Sequence, residues 1–134
     1  MGADREEDPM STKEQSAGEK IRREVMGTEF VDRALENASS FDMPMQEMTM
    51  EHGWGSVWTR DGLDRKTRSM VTVSMLIALN AHGALKGHVR GALNNGVSPD
   101  EIREVIMHAA VYCGYPAALG AMKVAREVIE AYGT

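Results

Sequence analysis

Residues 80–116 read NAHGALKGHVRGALNNGVSPDEIREVIMHAAVYCGYP. Two helical patterns lie in this stretch, joined by a polar turn. Ser98-Pro99-Asp100-Glu101 opens the second of them. Ser98 can accept from the free N–H of residue 101, and Glu101 can reach back to the N–H of Ser98. Pro99 stands where a missing N–H does no harm. Two acids in the first turn also suit the positive end of the helix dipole. Ile102, Val105, Ile106, Ala109 and Cys113 follow at helical spacing and predict one buried face. Gly114 reads as the residue that ends the helix, and Pro116 blocks its continuation. Glu104, His108 and Tyr112 then fall at i, i+4 and i+8, which places three titratable side chains on one stripe beside the buried face.

The pattern before it carries Ala84, Leu85, His88, Val89, Ala92 and Leu93, closed by Asn94-Asn95-Gly96. His88 lies within the apolar face. A short turn between two helices predicts antiparallel neighbours, with His88 and the Glu104–His108–Tyr112 stripe facing a common space. Each residue also has a structural reading. A histidine on an apolar face can be a hydrogen-bonded core residue, Glu104 and His108 can be a surface i,i+4 pair, and Tyr112 can be a packed ring.

Working outward, residues 1–14 are polar, with no apolar period, and predict a flexible tail ahead of a single domain over 15–134. Helices are expected over 18–26, ending at Gly27, and over 28–37, with Thr28 as cap. A third is expected over about 44–57, weakened at its end by Gly53 and Gly55. Its methionines, Met43, Met45, Met48 and Met50, suit a core or a subunit interface, and alternatively an adaptable ligand surface. Asp64 is expected to cap a central buried helix over about 65–79, and the last helix runs over about 117–132 on Ala118, Met122, Ala125, Val128 and Ile129.

Trp54 and Trp58 are four residues apart, with Arg60 just beyond. Two indoles beside a planar guanidinium suit a flat, unsaturated acid. They suit a filled core equally well. Arg68 precedes the apolar run of its helix and could point back into the same pocket. Arg90, on a different face from His88, suits a subunit contact.

Composition narrows the classes. A formal net charge of −5 and the lack of a basic cluster argue against nucleic acid as partner. One cysteine excludes an internal disulfide and fits a reducing, cytoplasmic compartment. No apolar run is long enough to span a membrane, and no basic-then-apolar leader is expected. Glu6 stands where a myristoylation signal needs Ser or Thr. His52, His82, His88 and His108 show no His-x-x-x-His pairing, so no metal site is expected.

Many separate runs carry a resemblance. They include Arg23-Glu24-Val25-Met26-Gly27, Val31-Asp32-Arg33-Ala34-Leu35, Trp54-Gly55, Trp58-Thr59-Arg60, Gly62-Leu63-Asp64-Arg65, Thr67-Arg68-Ser69, His88-Val89-Arg90 and Asn94-Asn95-Gly96. Asp100-Glu101-Ile102 and Tyr112-Cys113-Gly114-Tyr115-Pro116 continue the series. In this order the chain resembles the carboxymuconolactone decarboxylase family over residues 20–132.

The resemblance implies an all-α, alkylhydroperoxidase-D-like bundle of about six helices, assembled as a homo-oligomer (trimer or hexamer). It implies decarboxylation of 4-carboxymuconolactone to the 3-oxoadipate enol-lactone in aromatic catabolism. The electron pair left by carbon dioxide spreads toward the lactone carbonyl, so no cofactor is needed. Arg60, with Arg68, would anchor a carboxylate, and His88 would supply the proton or hold the oxyanion. Glu104 would orient and charge a histidine or donate a proton itself, and Trp54, Trp58, His108 and Tyr112 would line the pocket. Ala81 and Ala84 stand where alkylhydroperoxidase-D relatives carry a Cys-x-x-Cys pair, and similar decarboxylases often carry a glutamate at the position of Ala84. A dithiol cycle is therefore closed to this chain. The alternatives are a related enzyme acting on another carboxylated or lactone-like compound, and a non-catalytic oligomer that binds a small aromatic acid.

Overall fold

The computed structural model describes residues 13–133. Up to residue 12, the tail expected over 1–14 lies outside the described residues. Among those described, the chain is all helical: α1 (Lys13–Met26), α2 (Thr28–Asn37), α3 (Met43–Met48), α4 (Arg65–Ala78), α5 (His82–Asn94), α6 (Pro99–Cys113) and α7 (Tyr115–Ala131). A π-helical segment over Thr49–Val57 continues α3. The helices form two compact units, one ending at Gly62 and one beginning at Leu63.

In the N-terminal unit α1 packs along the π segment and on α2. Val25, Met26, Val31 and Trp54 are buried together, with Ile21, Phe30, Leu35 and Trp58 packed against them. The expected fraying at Gly53 and Gly55 does not occur. The helix widens instead, and the Trp58 N–H donates to the Gly53 carbonyl at 3.1 Å. Gly55 is needed for contact rather than for flexibility, because a Cβ there would run into the backbone of Glu14 and Met50. Thr28 is the first residue of α2 and makes no cap; Gly27 holds that position with φ 98°. Of the methionines, Met50 is buried while Met45 and Met48 are exposed.

In the C-terminal unit the caps form as expected. Asp64 accepts from the Thr67 N–H at 2.7 Å. Ser98 and Glu101 form the reciprocal box, each bond 3.0 Å long; such a cap contributes about 1 kcal/mol. Gly114 turns the chain with φ 94°, a conformation costly for other residues, and α7 starts at once with Pro116 in its first turn. The core joins Val73 and Ile77 of α4, Leu85, Val89 and Ala92 of α5, Ile102 and Ile106 of α6, and Ala118, Ala121, Ala125 and Val128 of α7.

The order around this core corrects one expectation. α5 and α6 are joined by a short turn but are not packing neighbours; each lies against α4 and α7. Every helix has one apolar stripe, and those two stripes are filled by α4 and α7 rather than by each other. α4 is central, as its composition predicts, yet it is buried only through Ser69, Val73 and Ile77. Its opposite face leaves Val71, Met75 and Leu79 exposed.

Candidate active site

The exposed face of α4 forms one wall of an open groove of about 650 Å³; α6 forms the other. From α6 come Glu104, Val105, His108, Ala109, Tyr112 and Cys113. The capping box sets where α6 begins, and burial of Ile102, Ile106 and Ala109 sets its rotation. Glu104, His108 and Tyr112 are thereby turned outward along the groove. The His108 and Tyr112 rings lie 5.1 Å apart, tilted by 42°. All three side chains are exposed, and Cys113 is half-buried.

The α4 wall is mostly apolar, built by Met70, Val71, Met75 and Ala78 with Thr67 and Ser74. The Ser74 hydroxyl donates to the Val71 carbonyl at 2.7 Å, so its proton is used within its own helix. No lysine or arginine lines the groove. Besides the Thr67 and Ser74 hydroxyls of α4, its polar groups are one carboxyl, one imidazole, one phenol and one thiol, all on α6. Such a set can move a proton and stabilise an oxyanion beside an apolar wall.

The other residues singled out in the sequence stand elsewhere. His88 is half-buried on α5, between Leu85 and Val89, and is not among the residues lining the groove. Arg68 is half-buried on α4, beside the buried Ser69, and does not line it either. Trp54 and Trp58 stack in the N-terminal unit with ring centroids 4.9 Å apart, Trp54 within its core. Arg60 follows in an exposed turn, its N–H donating to the Val57 carbonyl at 3.0 Å. Arg90 lies over the Tyr132 ring, 5.9 Å from its centre. The structure thus brings together Glu104, His108 and Tyr112, and adds Met70, Ser74, Met75 and Cys113. The added α4 residues were hidden because a nearly all-apolar helix reads as buried all round.

Charged groups cap the helices that form the two walls at their first turns. The Ser98 N–H and the Lys66 ammonium, 3.1 Å away, keep the Glu101 carboxyl below its ordinary range. The Thr67 N–H does the same for Asp64. Among the described residues no group of three His, Cys, Asp or Glu could hold a metal ion, and no helix is long and apolar enough to cross a membrane.

Residues 44–127 match the model of the carboxymuconolactone decarboxylase family. A nitrosuccinic acid decarboxylase of Metarhizium robertsii is 46% identical over 129 residues, covering 96% of this chain and 90% of the relative. A 4-carboxymuconolactone decarboxylase of Acinetobacter baylyi is 43% identical over 116 residues, covering 87% of each chain. An uncharacterised 15.0 kDa protein of Paracoccus denitrificans is 34% identical over 84 residues, about 60% of each chain. With its all-helical fold and a family match spanning most of its length, this chain belongs to the carboxymuconolactone decarboxylase family.

Proposed function

We propose that this protein decarboxylates a small, activated dicarboxylic acid without a cofactor, and that the acid is 4-carboxymuconolactone. Breaking the bond to the departing carboxylate leaves an electron pair on carbon. In that lactone the pair spreads through the ring double bond to the carbonyl oxygen. A proton then returns to carbon, and carbon dioxide leaves. The substrate is its own electron sink, so the protein has to place the acid, hold the oxyanion and deliver the proton.

The observation that carries this reading is the groove, with Glu104, His108 and Tyr112 on one wall and methionine on the other. An apolar wall disfavours a localised carboxylate relative to the spread charge of the transition state. Imidazole is the side chain best suited to carry a proton near neutral pH. His108 lines the groove, whereas His88 keeps its candidacy through the resemblance. Glu104 stands one turn from His108 and in this reading orients or recharges it. Arg60 and Arg68 retain the role of carboxylate anchors, and Trp54 and Trp58 that of an aromatic surface, on the same footing.

A second acid is favoured by a specific observation. The nitrosuccinic acid decarboxylase matches across 96% of the chain, and Ala84 stands where decarboxylases of the lactone often carry glutamate. In nitrosuccinic acid the electron pair passes to the nitro group as a nitronate, which requires the same three services from the protein. The reading also includes a homo-oligomer, a trimer or hexamer, in the cytoplasm. Exposed Met107, Val111, Tyr115 and Leu119 support an assembly surface. Supplying each acid to the purified protein, and following carbon dioxide release and product by NMR, tests the reading. Turnover of the lactone supports the first form and turnover of nitrosuccinic acid the second; turnover of neither defeats both.

A further inference from the structure

The groove opens in a part of the chain that carries no formal charge. The sequence has 15 Lys and Arg and 20 Asp and Glu, yet none of them falls in residues 69–85 or 105–122. Those two runs supply most of α4, most of α6 and the corner where α6 gives way to α7. What they expose is apolar. Val71, Met75 and Leu79 stand outward on α4 at one-turn spacing, and Met107 and Val111 do so on α6. At the corner, Tyr112, Tyr115 and Leu119 are 77%, 73% and 68% exposed.

Such a face is costly to leave in water. It has the composition of an interface core, poor in charge and rich in aromatic residues and methionine. Its exposed side chains offer on the order of 1,000 Å², against about 800 Å² per partner in a stable protein–protein contact. Charge points to a second copy as the occupant. At a net −5 each, two copies repel, and an uncharged face is where they meet at least cost. The two runs bring no ion into that contact to be stripped of water.

The groove lies within this face, since Val71, Met75 and Tyr112 belong to both. At about 650 Å³ it is of a size for a drug-sized ligand, larger than a small dicarboxylic acid fills. Left open, it also admits water to Glu104, His108 and Tyr112. Tyr115 and Leu119 do not line the groove of their own chain. They stand one turn apart on α7, so a single approach presents both. A tyrosine, apolar in its ring and polar at its tip, suits a groove with methionine on one wall and Glu104 and His108 on the other.

We propose that a second copy of this chain closes the groove, laying the partner subunit's Tyr115 and the partner subunit's Leu119 over it, so that each site is completed by a neighbour. The consequence for catalysis rests on the decarboxylase reading; the contact itself does not.

The test uses the full chain, with light scattering for mass. Cys113, the chain's one cysteine and part of the groove lining, reports cover through its rate of reaction with dithionitrobenzoate. The wild type is expected to scatter as a multiple of 14.7 kDa. Tyr115→Glu puts a charge in the contact while suiting the first turn of α7. Leu119→Lys does so farther from Cys113. Both are expected to give smaller particles with wild-type circular dichroism, and Cys113 reacts several-fold faster. Should one variant fail to fold, the other decides the matter. A wild type that scatters as a monomer overturns the proposal and leaves the face to a different partner. Wild-type mass in either folded variant overturns it too. So do smaller particles with unchanged Cys113 reactivity, since the contact then lies away from the groove. Smaller particles and faster Cys113 reaction in a protein that decarboxylates neither acid uphold the contact and defeat the decarboxylase reading. Turnover of one acid by a wild-type monomer does the reverse.

Discussion

Gly18 of α1 and Gly55 of the π segment meet with no side chain between them: a Cβ on Gly18 would stand 2.8 Å from the Gly55 nitrogen. The obstruction on both sides is backbone, which cannot rotate away. Gly55→Ala is therefore expected to destabilise the N-terminal unit by about 3 kcal/mol, at the severe end for overpacking. Gly53→Ala, where a Cβ meets open space, is expected to be neutral or mildly stabilising. Thermal melts followed by tryptophan emission check this, since Trp54 belongs to the same unit; equal melting of the two variants would contradict the crossing.

Under the proposed function, His108 and His88 are competing candidates to supply the proton. If the groove is where chemistry occurs, His108→Ala lowers kcat by about 10²- to 10⁴-fold, the usual contribution of a positioned acid or base. His88→Ala then costs less. Steady-state rates on whichever acid is turned over, with oligomeric state measured alongside, rank the two. Near-full turnover by His108→Ala removes the groove from the mechanism.

The capping carboxylates predict a pH dependence of stability. Asp64 and Glu101 titrate below their ordinary values of 3.8 and 4.5 in the folded chain. The unfolded chain thus binds more protons between the folded and ordinary pKa values. Their contribution is fully present above about pH 4.5 and is lost as pH falls through the folded values. A melting temperature that declines from pH 6 toward pH 3 is expected, with a shallower decline in Glu101→Gln. Parallel profiles for the two proteins would show that Glu101 contributes nothing.

Val111 and Met107 are 76% and 54% exposed on α6, one turn apart. If they belong to an assembly surface, Val111→Glu places a charge in it without touching the core. Light scattering should report smaller particles, with the circular dichroism of the wild type retained. An unchanged mass would move the interface elsewhere.

Much of this was legible in the chain. Ser98 through Glu101, Asp64 and Gly114 announce their turns because each answers a local need of a helix end. The stripe of α7 was legible too, being a matter of period. What escaped was partnership. Asn94-Asn95-Gly96 says that the chain reverses, but not which helix fills the next stripe, and a short turn alone does not tell α6 from α4 or α7 as the neighbour of α5. Glycine at 55 reads as weakness in one strand of text and becomes a point of contact only when α1 lies across it. The titratable stripe of Glu104, His108 and Tyr112 was visible from spacing alone, whereas the methionine wall opposite depended on which face of α4 stayed uncovered.

The first turn of α6 is pinned several times over. Glu101 caps its own helix and meets Lys66 at 3.1 Å, and the Asn95 side-chain amide just before it donates to Ser69 at 2.9 Å on α4. From Glu101 to Cys113 the helix extends about 18 Å. Any rocking of α6 pivots at the pinned end, so one degree of tilt displaces the far end by about 0.3 Å. By this lever the Tyr112 end of the groove wall moves farther than the Glu104 end for any given tilt.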